Sequence, residues 1–176
     1  MHAWILTPLL AAATATIHPI DAAASHAQFA VQHIYVEHVV GTVPIVSGEV
    51  ALEGSSLVPV SVTAVLDPTK IKTGEDDRDG ALQSPDWFDT QKFPRWTFAS
   101  TKIVATGPSA FGMDGLLTVH GVAQNVHLTV TIGGTPDRPT YHATGQIDRH
   151  LFGMSTTRLD PVIGNPVDVT LDIRLK

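Results

Sequence analysis

Near the C-terminus, Val167, Val169, Leu171, Ile173 and Leu175 alternate with Asp168, Thr170, Asp172 and Arg174. Strict period two over these nine residues marks a β-strand with one buried and one wet face, because successive side chains of a strand point to opposite sides. A helix would spread both sets around its circumference and strand half of each on the wrong side. Val126, Leu128, Val130 and Ile132 repeat the pattern against His127, Thr129 and Thr131. The chain must therefore build a sheet that lays one face on an apolar interior.

Six more segments extend this reading. Ala27, Phe29, Val31 and His33 share one face, opposite Gln28, Ala30 and Gln32. Thr42 to Leu52 is extended but holds Pro44 and Gly48, which point to a sheet edge or a bulge. Val58 to Leu66 is rich in β-branched residues and stops at Asp67-Pro68, a turn signal. Trp96–Val104, Phe111–Val119 and Thr140–Asp148 complete the set. Thr106-Gly107-Pro108-Ser109 joins one pair of segments, and Gly133-Gly134 followed by Pro136 joins another. The expectation is an all-β, eight-stranded antiparallel domain, either a sandwich or an up-and-down barrel.

Between Thr73 and Pro94 the alternation is absent. Asp77 or Asp79 is placed to cap a short helix through Leu82. Ser84-Pro85 offers an N-cap and first position for a second short helix carrying Trp87 and Phe88. A short helical excursion, about 74–93, thus interrupts the sheet. Its apolar members Leu82, Trp87, Phe88 and Phe93 need a surface to bury against, and a barrel mouth supplies one.

Composition narrows the function. With 43% hydrophobic and 16% charged residues, the 176-residue chain reads as one globular domain. A net charge of −6 without any basic run argues against nucleic acid or an anionic membrane as partner. The chain has no cysteine, which excludes disulfides, thiolate chemistry, cysteine-ligated zinc and iron–sulfur clusters. From Ala3 to Ala15 it is uncharged and largely apolar, ending in Ala13-Thr14-Ala15. That is a short apolar core followed by a small-x-small cleavage pattern, although only His2 stands where Lys or Arg is usual. Residues 1–15 read as a signal peptide and 16–176 as the mature domain, which predicts a periplasmic or secreted protein. No stretch approaches the ~20 apolar residues of a transmembrane helix.

Four stretches, in order along the chain, carry a resemblance. They are SHAQFAVQH (Ser25–His33), RDGALQSPDWFDTQKFP (Arg78–Pro94), GLLTVHGVAQNVHLTV (Gly115–Val130) and IDRHLFGM (Ile147–Met154). Together they resemble the YceI-like, polyisoprenoid-binding family: its first long strand, its Arg-Asp and aromatic-Pro signature, its Gly-x-Leu-Thr-x-His-Gly strand and turn, and its Asp-Arg-x-x-Phe-Gly turn. The chain departs from the family pattern at Ala24, at Ala81 and at Ala123-Gln124, which puts in doubt any head-group contact those positions make. The resemblance implies a lipocalin-like, eight-stranded antiparallel barrel, commonly exported, whose relatives hold long isoprenoid or other amphiphilic lipids in an elongated apolar cavity.

An eight-stranded barrel is of borderline size, either filled by its own side chains or able to hold one ligand. Holding a lipid needs no catalytic motif. Each buried methylene contributes about 0.8 kcal/mol, so roughly ten reach the scale of micromolar affinity before the costs of association. The candidate cavity-lining or mouth residues are Phe29, Val31, Trp87, Phe88, Phe98, Phe111, Leu128 and Phe152. Each has the plain alternative of ordinary core. Arg78 and Arg149, each beside an aspartate, either fix turns that hold the excursion on the barrel or meet a polar head group.

The nine histidines invite a metal, and the spacing argues against one. His26 and His33 stand roughly 23 Å apart by strand rise. His120 and His127 flank a turn and could meet across it, without a carboxylate in sequence range. Glu75, Asp76, Asp77 and Asp79 before Gly80 lack the spacing of a calcium loop. No motif assembles a nucleophile with a base. The expectation is a lipid carrier without cofactor or metal, not an enzyme. An enzyme using the same cavity, a partner-binding protein with a filled barrel, and a homodimer stay open.

Overall fold

The computed structural model describes residues 14–33, 37–154 and 163–176. All but Thr14 and Ala15 of the expected signal peptide lies outside the described residues. The strands are β1 (Ala15–Pro19), β2 (His26–His33), β3 (Glu37–Thr42), β4 (Ile45–Glu53), β5 (Ser61–Leu66), β6 (Trp96–Gly107), β7 (Ala110–Val119), β8 (Val122–Thr135), β9 (Arg138–Asp148) and β10 (Ile163–Arg174). They form one antiparallel sheet in the order β1-β4-β5-β6-β7-β8-β9-β10-β2-β3.

The all-β expectation stands, but the described residues form ten strands, not eight. The two additions are the sheet's outer strands, and neither advertises itself by alternation. In β1, Ile17 is exposed. In β3, the inner row carries Gly41 while Val40 faces out. The extended run expected from Thr42 to Leu52 is divided at Val43-Pro44. There the chain leaves β2 as its partner and takes up β5.

The sheet curls into a half-barrel. Register shifts interrupt β6 at Ser100/Lys102 and Ala105/Gly107, β4 at Ile45/Ser47 and β10 at Ile163/Val167. Such bulges bend a strand and raise its twist. The curl brings the end of β1, one margin of the sheet, against the end of β10 at one corner. Ile20 bridges to Leu175, the Asp21 N–H donates to Arg174 O at 2.8 Å, and the Lys176 N–H donates to Pro19 O at 3.0 Å. Tight hairpins keep the middle strands in register. Between β7 and β8 the turn is only His120-Gly121, both at positive φ (52° and 73°), as a two-residue hairpin turn requires.

The excursion between β5 and β6 forms a 3₁₀ turn (Pro68–Lys70), the helix α1 (Asp76–Gln83) and a series of turns. Neither Asp77 nor Asp79 caps α1. Glu75 holds the N-cap position without a side-chain bond. The expected second helix is absent, and Ser84 closes α1 instead of opening another. Its backbone is extended (φ −67°, ψ 164°), and its hydroxyl donates to Ala81 O at 2.7 Å. Pro85 accounts for this, since a residue before proline is driven out of the α region. Trp87 and Phe88 then sit in a turn, their N–H groups donating to Ser84 O and Leu82 O at 3.0 Å each.

Candidate functional site

The inner faces of the strands meet around a lumen rather than a solid core. On β7 the inner row is Phe111, Met113, Gly115, Leu117 and Val119, and on β9 it is Tyr141, Ala143, Gly145 and Ile147. A cavity of about 210 Å³ runs between these rows and those of β2, β4, β5, β6, β8 and β10, and its wall is carbon almost throughout. A single water needs only about 10–15 Å³ of such space, so this is far more than a packing defect. The wall runs along β7 from Phe111 to Val119, roughly 27 Å by strand rise. The lumen is therefore long in one direction and narrow across.

The two ends are closed differently. Leu66 pairs with Trp96 and Thr97 with Thr118, so the excursion emerges beside the Val119 end of the lumen. There Leu82, Trp87, Phe88 and Trp96 contribute to the wall. The Phe88 and Trp96 rings meet edge-on with centroids 4.7 Å apart. At the other end Phe111 and Tyr141 stand edge-on at 6.2 Å. The Tyr141 hydroxyl donates to Leu57 O at 3.0 Å, tying the β4–β5 loop across the opening. Burial pushes the Tyr141 phenol up to about 12.

Two buried carboxylates pin the excursion to the barrel. Asp79 accepts from the N–H and hydroxyl of Thr73 at 2.8 and 2.7 Å, with the Lys72 ammonium at 3.3 Å. The Thr73 hydroxyl, helped by the Thr73 N–H and Lys72, outweighs burial and holds Asp79 below the ordinary carboxylate range. Asp67 accepts from Thr69 and lies 3.1 Å from Arg95, so it ties the start of the excursion to its exit. Burial alone would raise Asp67, but Thr69, Arg95 and Lys70 together bring it below that range.

Of the eight aromatic and aliphatic candidates, Phe29, Val31, Trp87, Phe88, Phe98, Phe111 and Leu128 lie on the cavity wall. Phe152 does not. It is 1% exposed and packs behind the wall with Ile71, against the wall residues Val43, Val119 and Met154. The cause is local: Phe152 ends a 3₁₀ turn, Arg149–Phe152, whose cap turns the ring into the second layer. Trp96 and Tyr141 are wall residues outside the candidate set. Strand parity carries a signal for Tyr141, which shares the face of Ala143, Gly145 and Ile147.

Arg78 does not reach the cavity. Its guanidinium donates to the hydroxyl and carbonyl of Thr73 at 2.8 and 2.9 Å and lies 3.5 Å from Glu75. Arg149 is 3% exposed and does line the wall. It donates to the carbonyls of Gly164 (3.0 Å), Ile163 (2.9 Å) and Met154, with the Trp87 ring 6.0 Å away. Asp148 accepts from the His150 N–H and caps the same turn.

His120 and His127 do not meet. The His120 ring stands edge-on to Phe93 at 5.2 Å. His127 instead contacts Asp114, its cross-strand partner on β7, at 2.6 Å on the outer face. This carboxylate is distant in sequence and visible only once register is known. His142 and Asp172 form a second such pair at 2.8 Å. Among the described residues no three His, Asp or Glu side chains converge as a metal site, and no helix is long and apolar enough to cross a membrane.

This arrangement, an apolar lumen inside a curled antiparallel sheet roofed by one short helical excursion, has known relatives. The YceI-like domain family matches residues 18–175. The chain belongs to the YceI-like family. Its YceI-like relatives include the UPF0312 protein of Vibrio campbellii, 30% identical over 129 residues covering 72% of this chain and 68% of that one. Protein YceI of Escherichia coli O157:H7 is 28% identical over 152 residues, 82% and 79% of the two chains. Among solved structures, BcnA of Burkholderia cenocepacia superposes with a TM-score of 0.81 at 21% identity, over 89% of this chain and 99% of its own. A polyisoprenoid-binding domain from Saccharophagus degradans, described as implicated in plant cell wall breakdown, superposes with a TM-score of 0.71 at 16% identity, over 90% and 97%. At these identities the superpositions speak for the fold.

Proposed function

We propose that the protein holds a long, apolar lipid chain in this lumen and carries or sequesters it outside the cytoplasm, in the periplasm or as a secreted protein. The observation that carries the reading is the lumen itself: about 210 Å³, elongated, and walled by carbon. Such a space favours a polyisoprenoid, a quinone-like compound or a fatty-acid derivative, because each methylene moved from water into it contributes about 0.8 kcal/mol. The family supports the same class, since a neighbour of the same fold is described as a polyisoprenoid-binding domain. The uncharged run from Ala3 to Ala15 supports export.

An enzyme acting on the same amphiphile would need converging titratable groups. The two in the wall, Tyr141 and Arg149, come from opposite ends of β9, and each donates to main-chain carbonyls. That favours holding over chemistry. A filled barrel serving only as a binding partner would have no lumen.

The test is native mass spectrometry of the purified protein, followed by organic extraction and titration with a long-chain isoprenoid. Ala143 faces the lumen between Val130 and Leu171. Ala143→Phe should fill the lumen and weaken binding at least about tenfold, roughly 1.4 kcal/mol. Thr144→Ala on the outer face should not. No extracted lipid together with no micromolar binding, or an Ala143→Phe variant that binds like the wild type, would overturn the reading.

A further inference from the structure

The indole N–H of Trp96 is buried and has no hydrogen-bond partner among the described residues. Buried donors are almost always paired, and one that is not calls for an explanation. The side chain belongs to the cavity wall at the excursion end, where the edge-on contact with Phe88 fixes the plane of the ring. The other buried polar groups of the wall have protein acceptors: the Tyr141 hydroxyl has Leu57 O, and Arg149 has three main-chain carbonyls. A wall of carbon does not hold water against such a group.

We propose that Trp96 Nε1 donates to an oxygen acceptor on the bound molecule, so the ligand is an apolar chain ending in a neutral carbonyl, ether or hydroxyl oxygen, and that end lies beneath the excursion. This rests on the lipid-holding reading and narrows it. A plain hydrocarbon would leave the N–H unsatisfied. A charged head would lose its hydration against the carbon wall. A neutral oxygen does neither. Orientation follows, because among the described residues the buried wall donor without a protein acceptor lies at the excursion end. The tail then points toward Phe111 and Tyr141.

The test uses three ligands on one twenty-carbon isoprenoid skeleton: the hydrocarbon, the alcohol, and the methyl ether, which accepts a hydrogen bond but cannot donate one. Their affinities are measured by displacement of a fluorescent lipid from the full chain. The wild type should favour both the alcohol and the ether over the hydrocarbon by about five- to tenfold, the scale of one satisfied buried donor. Trp96→Phe keeps a ring in the wall and removes the N–H. It should lose the preference, read as the ratio of alcohol or ether affinity to hydrocarbon affinity within the variant, so that any general change in the wall cancels. Circular dichroism and a thermal melt show that the variant is folded. No preference in the wild type, or a preference that persists in Trp96→Phe, would overturn the assignment of the donor while leaving the lumen reading intact. Failure of all three ligands to bind the wild type would overturn both.

Discussion

The ring of Phe98 on β6 lies against the α-carbon of Gly115 on β7, closer than any larger residue would allow. The same relation recurs around the half-barrel. Phe29 on β2 covers its cross-strand partner Gly41 on β3, and Leu128 on β8 covers its partner Gly145 on β9. In each case a Cβ on the glycine would approach the neighbouring side chain to less than 3.0 Å. Large inward side chains thus lie down on the sheet instead of standing out into the middle. This is how a sheet rich in inward-facing apolar residues keeps an open axis.

Gly115→Ala is therefore expected to act on stability and on lumen shape together. The new methyl would meet the far end of the Phe98 ring and, at 2.8 Å, the carbonyl of Ala99. The ring can swing only toward the lumen, and the carbonyl cannot leave its strand. Overpacking of this kind costs about 1–3 kcal/mol, or roughly 2–4 °C of Tm per kcal/mol for a chain of this size. Lipid affinity should fall as well. Phe98→Leu in the Gly115→Ala background should recover part of both losses, as read by thermal melts with and without lipid. Unchanged affinity in Gly115→Ala would show that this ring does not set the width of the lumen.

The same geometry explains what could be read from the chain beforehand. Where inner and outer rows differ in polarity, as in Val167–Leu175 or Val126–Ile132, the strand and its buried face were plain. Where the inner row holds glycine, as at Gly41 in β3, alternation vanished and the strand went unseen. The lumen itself is invisible to periodicity, because Leu128 reads the same beside a lipid as beside another leucine. Strand parity gives no guide at Phe152, because this residue ends a 3₁₀ turn. The Asp114–His127 contact and the position of Trp96 Nε1 depend on register and rotamer, which no short window contains.

Phe152 and Trp87 should separate stability from binding. Phe152 is fully buried behind the wall, so Phe152→Ala leaves a cavity and is expected to cost about 3–5 kcal/mol. Its effect on lipid affinity should be small at temperatures where the variant stays folded. Trp87 is half-buried on the excursion, with Arg149 6.0 Å from its ring. Trp87→Ala is expected to lower stability by no more than about 1 kcal/mol while speeding lipid dissociation. Denaturant melts and stopped-flow displacement on the two variants would read this split. Equal effects of both substitutions on both quantities would contradict it.

The titrating groups of the site set opposite limbs of a stability–pH profile. Asp67 and Asp79 are held below their ordinary 3.8 in the folded protein. Their contribution is full above that value and is lost as pH falls through the depressed folded values. Tyr141 is raised from 10.0 to about 12. Its contribution is full below pH 10 and is lost as pH climbs toward 12, because the unfolded chain gives up the phenolic proton first. The stability deficit of Asp79→Asn relative to the wild type should therefore be constant above roughly pH 5 and shrink in stronger acid. That of Tyr141→Phe, which also loses the bond to Leu57 worth about 0.5–1.5 kcal/mol, should be constant below pH 10 and shrink above it. Urea melts of the three proteins across that range would show both trends. A Tyr141→Phe deficit that grew in alkali would mean the hydroxyl is not buried as described, and the β4–β5 loop would then not be tied across that end of the lumen.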